Sequence, residues 1–453
     1  MAMLGLTSTE SFSAQRFTNI RQRVFYFYPN GAAPMIGLLS LLKDESTNDP
    51  RYSHFEKRLS EQRNTTAAAT TGCFITNTTT NADAANPFSP AADSTLRVVV
   101  ADQTVFRVGH QVKLSAVPTS TAGVNVILYG LVTNTGTATI NGNANTPFID
   151  LSVTEAGTNI ANTAATVGLE VLIVGSSFAQ GVTNQSSSIW NLPVQIENYT
   201  QILRSPFDFT GTAIKTSTKF DESGPYKDKA KETSVDHMRE MEKAFIFGRK
   251  RLITSGTRPQ YMTGGVIYHL EQWELLANNP YGTSGATLDA DDNKRIINNA
   301  AGTMNPRTYD MYMERAFRVT NNKANEKLVL CGSGFLSTLN TMYVSGTMLT
   351  SKQGDATTYG MTVVQHDTPY GTIYYKTHPL FSQNPTLRYN ALFLDVQNLM
   401  YRYMQGRDTE ILTNRQANDE DARVDEWLTE AGLECRFPES HMYLQNVRQA
   451  VAG

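Results

Sequence analysis

Charge is scarce in this chain, and the scarcity narrows the possible functions before any motif is considered. Lys, Arg, Asp and Glu make up 18% of its 453 residues, against roughly a quarter in an ordinary soluble protein. The 39 basic and 42 acidic residues nearly cancel, leaving a net charge of -3. Tight nucleic-acid readers draw affinity from a basic excess that neutralises phosphates and releases counterions, so the balance argues against DNA binding as the task. Long apolar runs are also missing: none approaches the roughly 18 residues of a spanning helix, and no membrane association is expected. The N-terminus has no basic stretch followed by an apolar one, so no secretory signal is read. Cys73, Cys331 and Cys435 are far apart and odd in number. They offer neither a disulfide framework nor a C-x-x-C metal pair, which fits a reducing, cytoplasmic site of synthesis. What is present is 40% hydrophobic residues, enough for a sizeable core and two or three domains.

Composition divides the chain into zones. Residues 1–65 are mixed, with an apolar cluster (Ile36, Leu38, Leu39, Leu41, Leu42) after the turn signal Tyr28-Pro29-Asn30-Gly31. From about 65 to 200, Thr, Asn, Ala, Gly and Val dominate and basic residues nearly vanish. Leu96–Val100, Val112–Leu114, Val124–Val132 and Leu169–Val174 read as short strands of a small all-β module, with Asn141-Gly142-Asn143 as punctuation and 64–92 as a flexible loop. The stretch 226–251 reads as a helix of roughly 38 Å. Ala230, Met238, Met241 and Phe245 make its apolar stripe, and Lys227, Asp236, Arg239, Glu240 and their neighbours its charged face. An α/β mixture follows, with strands expected at Lys327–Cys331, Met361–Gln365 and Thr372–Lys376, then at Glu426–Thr429, Leu433–Arg436 and His441–Leu444. The fold class is α+β.

The places where chemistry could sit each fail on residue type. Gly332-Ser333-Gly334 follows an apolar strand, as a hydrolase nucleophile does, but it is not G-x-S-x-G and no histidine or acid can be assigned to Ser333. It reads as a βα turn. Gly256 and Thr263-Gly264-Gly265 lack the Lys and hydroxyl residue of a phosphate loop and read as a hinge. Among His54, His110, His237, His269, His366, His378 and His441, no pair has i, i+4 zinc spacing, and His366-Asp367 reads as a turn. Asp289-Ala290-Asp291-Asp292-Asn293 opens like a calcium loop but has Lys294 at the turn-glycine position and Ala300 at the closing-Glu position. Asp419-Glu420-Asp421 reads as a solvated loop, and Asp236 with Glu240 as members of surface ion pairs. The sequence therefore yields no catalytic residue, no cofactor-binding residue and no metal ligand, and the chain is read as not an enzyme.

The order of segments and several local sequences resemble the major capsid proteins of tailed bacteriophages with the Hong Kong 97-type fold. Asn198–Arg204 with Gly211-Thr212-Ala213 resembles the entry to that family's spine helix, and Met241–Lys250 resembles the helix end. Arg258-Pro259 with Met262–Val266 resembles the following hinge. Phe106–Val112 resembles a turn of the inserted module, although an acidic residue is more usual at His110. Glu430–Glu434 and Pro438–His441 resemble the closing strands.

The resemblance implies an N-terminal arm over 1–60 and an extended loop over 61–210, carrying a β insertion at about 94–180. A peripheral domain would span 211–259 with its spine helix at 226–251, and an axial domain 260–400. Strands of 401–453 would return to the peripheral domain. It further implies a homo-oligomer of hexamers and pentamers forming an icosahedral shell around double-stranded DNA, which the near-neutral chain touches weakly and non-specifically. Scaffolding and portal proteins are expected partners, with cement proteins a further one. The opening Met1 leads to the expectation of a separate scaffolding protein. The virion capsid is the expected location, assembled in the host cytoplasm. The rival readings are an encapsulin-like compartment shell and a tail or fibre component.

Overall fold

A computed structural model describes residues 34–39, 44–57, 62–67, 75–76, 89–121, 124–140, 143–156, 159–161, 168–181, 189–190, 192–216, 225–254, 256, 258–274, 294–299, 304–319, 325–344, 353–358 and 361–448. The chain forms two compact units. The first comprises 1–52, 197–271 and 295–453, and the second 53–196 and 272–294. Residues 197–210, expected in the extended loop, therefore belong to the first unit. The expected boundary at 259/260 separates no compact bodies.

Two sheets build the first unit. In one, Asp44–Thr47, Leu399–Met404, Ala422–Cys435 and Gln201–Thr210 lie side by side, and Glu410–Leu412 also pairs with Ala422–Cys435. The long helix Pro225–Phe247 packs against this sheet. It starts on a proline, whose fixed φ and missing N–H suit the first helical turn. It stops four residues before the expected 251, because the chain returns across its end. A Cβ on Gly248 would lie 2.7 Å from the Thr263 carbonyl oxygen. The stripe it buries is also not the apolar one expected: Thr233, His237, Met241, Glu242, Phe245 and Ile246 are buried, while Met238 is exposed. Thr233 and His237 can occupy that face because their polar atoms find partners there.

The second sheet has seven strands in the order Ile296–Asn298, Met442–Gln445, Ala391–Leu394, Glu326–Cys331, Gly371–Thr377, Met361–Thr368 and Gln353–Thr358. Alternation divides its side chains between two cores. Leu328, Leu330, Leu392 and Leu394 join Met241, Phe245, Leu399 and Leu433. Val329, Cys331, Ala391 and Phe393 join Tyr309, Met313 and Phe317 of helix Pro306–Arg318, with Phe335 and Leu339 of helix Ser333–Val344. At the C-terminal end, Ala422–Cys435 is one strand where two were expected, and the last strand, Met442–Gln445, joins the seven-stranded sheet rather than the helix-bearing one. Gly432 does not interrupt the long strand. It makes room for a crossing chain, since a Cβ there would lie 2.6 Å from the Tyr199 carbonyl oxygen.

The second unit is a β-barrel. Arg63–Thr65, Glu170–Ser176, His110–Pro118, Asn125–Ile140, Asn143–Val153 and Thr95–Val99 follow one another around the sheet. Thr66 then bridges Val100, with Ala67 N–H to the Val99 oxygen at 3.0 Å and Ala101 N–H to the Thr65 oxygen at 3.0 Å. The ends of the sheet thus meet, and Ile75–Thr76 adds a short flap on Thr95–Val99. Inward-facing Val98, Val112, Leu114, Leu128, Ile149, Leu151 and Val171 fill the barrel. Asn143 is not only punctuation: it opens the strand Asn143–Val153, which no expectation covered. Most of the loop expected at 64–92 lies outside the described residues, as do Cys73, Asn141-Gly142, Tyr28–Gly31 and the acidic run Asp289–Asn293.

Candidate functional site

The residues with possible chemistry are dispersed, and packing accounts for them. Ser333 opens its helix on the surface, its N–H donating to Ser382 Oγ at 3.2 Å. The adjoining groove is lined by Leu336, Ser337, Asn340, Thr341 and Thr377, none of them an acid or a base. The glycines on either side serve close packing. A Cβ on Gly332 would stand 2.6 Å from the Arg388 carbonyl carbon, and one on Gly334 2.8 Å from the Tyr389 ring. Burial pushes the neighbouring Cys331 thiol well above its ordinary range, so it stays protonated. Gly265 lies over the end of the long helix, where a Cβ would be 2.7 Å from the Phe245 oxygen and 2.8 Å from the Ile246 oxygen. It is a packing contact rather than a phosphate cradle.

His366 is buried, which lowers its pKa, and Asp367 accepts from Gln365 Nε2 and Thr372 Oγ1 at a hairpin. Asp236 pairs with Arg239 at 3.4 Å on the helix surface, and Asp419-Glu420-Asp421 lies in an exposed stretch. Among the described residues no three His, Cys, Asp or Glu side chains cluster as metal ligands.

What the first unit does gather is a set of buried polar junctions. Asn198 is the hub where the chain enters the helix-bearing sheet. Its Nδ2 donates to the Gly264 oxygen at 2.9 Å and the Leu433 oxygen at 2.8 Å, while its Oδ1 accepts from Gly264 N–H at 2.8 Å. One side chain therefore ties the hinge to the closing strand. Asn198→Ala leaves these buried backbone groups without partners, and we expect a loss of about 3 kcal/mol, read as a lower urea midpoint with an unchanged m-value. His237 ties the long helix to its sheet through Ser205 Oγ and Thr429 Oγ1, both at 2.8 Å, and burial lowers its pKa. At the crossing between the two sheets, Lys327 Nζ donates to the Ser440 oxygen at 2.6 Å, and the His441 Nδ1 accepts from Asp395 N–H at 3.0 Å. Burial brings the Lys327 ammonium down to about 8, opposed by the Asp395 charge. Sequence reasoning weighed these histidines only as metal ligands. Nothing local marks Lys327 or Asp395 as buried.

The second feature is apolar and exposed. Arg51–Glu56 and Val194–Tyr199 pair as a ribbon of only two strands, and the boundary between the units falls within it. Beyond that boundary Phe55 is 68% exposed, Trp190 69% and Leu192 65%, with Lys57 Nζ 5.8 Å from the Trp190 ring centroid. Large apolar side chains left in water are candidates for contact with another protein.

Among the described residues the structure thus offers buried polar junctions and a few large apolar side chains left exposed. The chain belongs to the SU10 major capsid protein family, whose model matches residues 13–448. The major capsid protein of Pseudomonas phage PaMx41 is 22% identical over 392 residues, covering 84% of this chain and 78% of that one. Among solved structures, one from Mycobacterium phage Adephagia aligns over 99% of this chain and all of its own, at 7% identity and a TM-score of 0.40. The capsid asymmetric unit of cyanophage A-1(L) aligns over 61% of this chain and 85% of its own, at 12% identity and a TM-score of 0.38. The SrpI encapsulin of Synechococcus elongatus aligns over 58% and 79%, at 11% identity and a TM-score of 0.37. The chain is thus a phage major capsid protein, a structural component of the virion capsid.

Proposed function

We propose that this major capsid protein has the Hong Kong 97-type fold and tiles an icosahedral shell of hexamers and pentamers around double-stranded DNA, with no catalytic role. In that reading the long helix is the spine of a peripheral domain, the seven-stranded sheet with its helices belongs to the axial domain, and residues 61–196 lie in the extended loop. Scaffolding and portal proteins assist assembly in the host cytoplasm, and the packaged DNA is touched only weakly.

The observation that carries the reading is the exposed ribbon. The barrel has joined its own sheet ends, whereas the ribbon, like the open sheets of the first unit, keeps strand edges, and Phe55, Trp190 and Leu192 stand exposed. A two-stranded ribbon is marginal on its own, and laid across a neighbouring copy it gains both main-chain partners and apolar burial. Many modest head-to-tail contacts then close into rings, and each further contact is made at high effective concentration.

Electron microscopy of the purified protein, with and without a scaffold, tests the proposal. Wild-type chains are expected to give capsomers or closed particles, and the Phe55→Ser/Trp190→Ser variant folded, unassembled chains. Wild-type protein that stays monomeric with every scaffold, or a variant that assembles normally, overturns it. Particles that enclose protein cargo and no DNA in the producing cell point to the encapsulin-like alternative.

A further inference from the structure

One buried charge of the first unit has no opposite charge in contact with it. Lys327 lies on Glu326–Cys331, the middle strand of the seven-stranded sheet, and is 1% exposed. An ammonium carries three N–H donors. One goes to the Ser440 oxygen at 2.6 Å, and the Phe317 ring centroid stands 5.7 Å from Nζ. Among the described residues no carboxylate lies within 4.0 Å of that Nζ. Asp395 stands, fully buried, on the short connection from Ala391–Leu394 of this sheet to Leu399–Met404 of the five-stranded one. Its Oδ2 accepts from Asn398 Nδ2 at 3.0 Å, whereas its Oδ1 has no hydrogen-bond partner. The returning connection, from Ala422–Cys435 to Met442–Gln445, runs beside the first. Arg436 N–H donates to the Asn398 oxygen at 2.8 Å, Asn398 Nδ2 to Ser440 Oγ at 2.9 Å, and Asp395 N–H to His441 Nδ1 at 3.0 Å.

We propose that one buried water molecule joins Lys327 to Asp395, accepting from Nζ and donating to Oδ1. The two side chains are opposite in charge, and each favours the ionised form of the other, yet they stand too far apart for direct contact. Arg295 adds a second positive charge that opposes the ammonium, so the lysine depends on Asp395. A buried carboxylate oxygen with no donor is costly. The groups at hand do not meet its need, because Gln397 N–H supplies at most one donor and a carboxylate takes about four. His441 Nε2 is the other buried atom of this junction with no partner at bonding distance. A ring N–H needs only one acceptor, however, and the Arg436 carbonyl lies toward it. Buried waters make about three hydrogen bonds to polar groups of this kind, each nearly as favourable as a direct one. Lys327 then holds both of these connections between the sheets, one through the Ser440 oxygen and the other through the water.

A density map of the full-length wild-type chain, from crystals or from its particles, at a resolution that shows ordered solvent, tests the assignment. One peak is expected within hydrogen-bonding distance of both Lys327 Nζ and Asp395 Oδ1. The proposal is overturned if no peak lies between them, if Nζ and Oδ1 touch directly, or if either side chain points elsewhere. Urea titration of Lys327→Met, Asp395→Asn and the double variant gives a second reading. Both single variants are expected to be destabilised. A joined pair makes the double variant more stable than the sum of the single losses predicts, by at least about tenfold in the folding constant. Losses that simply add overturn the link between the two residues. The wild-type map requires no variant, so it decides the question where a single substitution fails to fold.

Discussion

Gly332→Ala is expected to destabilise the chain by more than about 3 kcal/mol, or to prevent its folding, while Ser333→Ala leaves stability and assembly unchanged. The contrast separates two explanations of one tripeptide. A methyl on Gly332 would enter the space of the Arg388 backbone, 2.6 Å from its carbonyl carbon and 2.9 Å from its Cα. That backbone cannot yield easily. The Arg388 oxygen already accepts from Phe335 N–H at 3.2 Å, and Gly332 N–H itself donates to the Asn390 oxygen at 3.1 Å. Moving either segment would break these hydrogen bonds next to the core formed by Val329, Phe335 and Phe393. Ser333, by contrast, points its side chain into a neutral surface groove. Urea midpoints and soluble yield measure the first variant, and melting plus particle formation the second. If Ser333→Ala instead abolished a hydrolytic activity, the structural account of this turn would fall.

Acid is expected to weaken the fold well above the pH at which carboxylates protonate, with His441 the largest single source. His441 is fully buried, and burial together with the nearby Lys327 and His269 lowers its pKa from 6.5 to about 3. Its folded pKa lies below its unfolded one, so between those values the unfolded chain binds the extra proton. Stability from this group is complete above 6.5 and falls as pH drops from there toward 3. At about 1.4 kcal/mol per tenfold change, the full gap is worth on the order of 4 kcal/mol. His237 and His366 are lowered by burial and act in the same direction. Asp395, raised mainly by burial, acts in the opposite one. His441→Asn retains an acceptor for Asp395 N–H and removes the titration. Urea midpoints at pH 7.5, 6 and 5 should fall less steeply in this variant than in the wild type, with a residual slope from the other histidines. Parallel slopes would show that His441 does not carry the effect.

The apolar run Leu328-Val329-Leu330-Cys331 and the charged stretch 226–251 were sufficient to expect a strand and a helix, because those patterns are local. Missing motif partners led to the reading of no catalytic site, since chemistry needs particular residue types. Three features required the third dimension. Gly432 looks like a break in sequence, yet it is where another chain segment crosses an unbroken strand. His237 entered the sequence reading only as a metal candidate, yet it is buried where Ser205 and Thr429, remote in the chain, supply its hydrogen-bond partners. The barrel ends meet through Thr66 and Val100, whose pairing depends on register across the whole sheet.

What the sequence by itself determined was the inventory: little charge, no assembled reactive group, a long helix and many short strands. What only the tertiary structure decided was which polar side chains are buried and which strand edges stay open. The physical reason is that both depend on partners remote in sequence, and a buried polar atom or a free edge is defined by what stands opposite it.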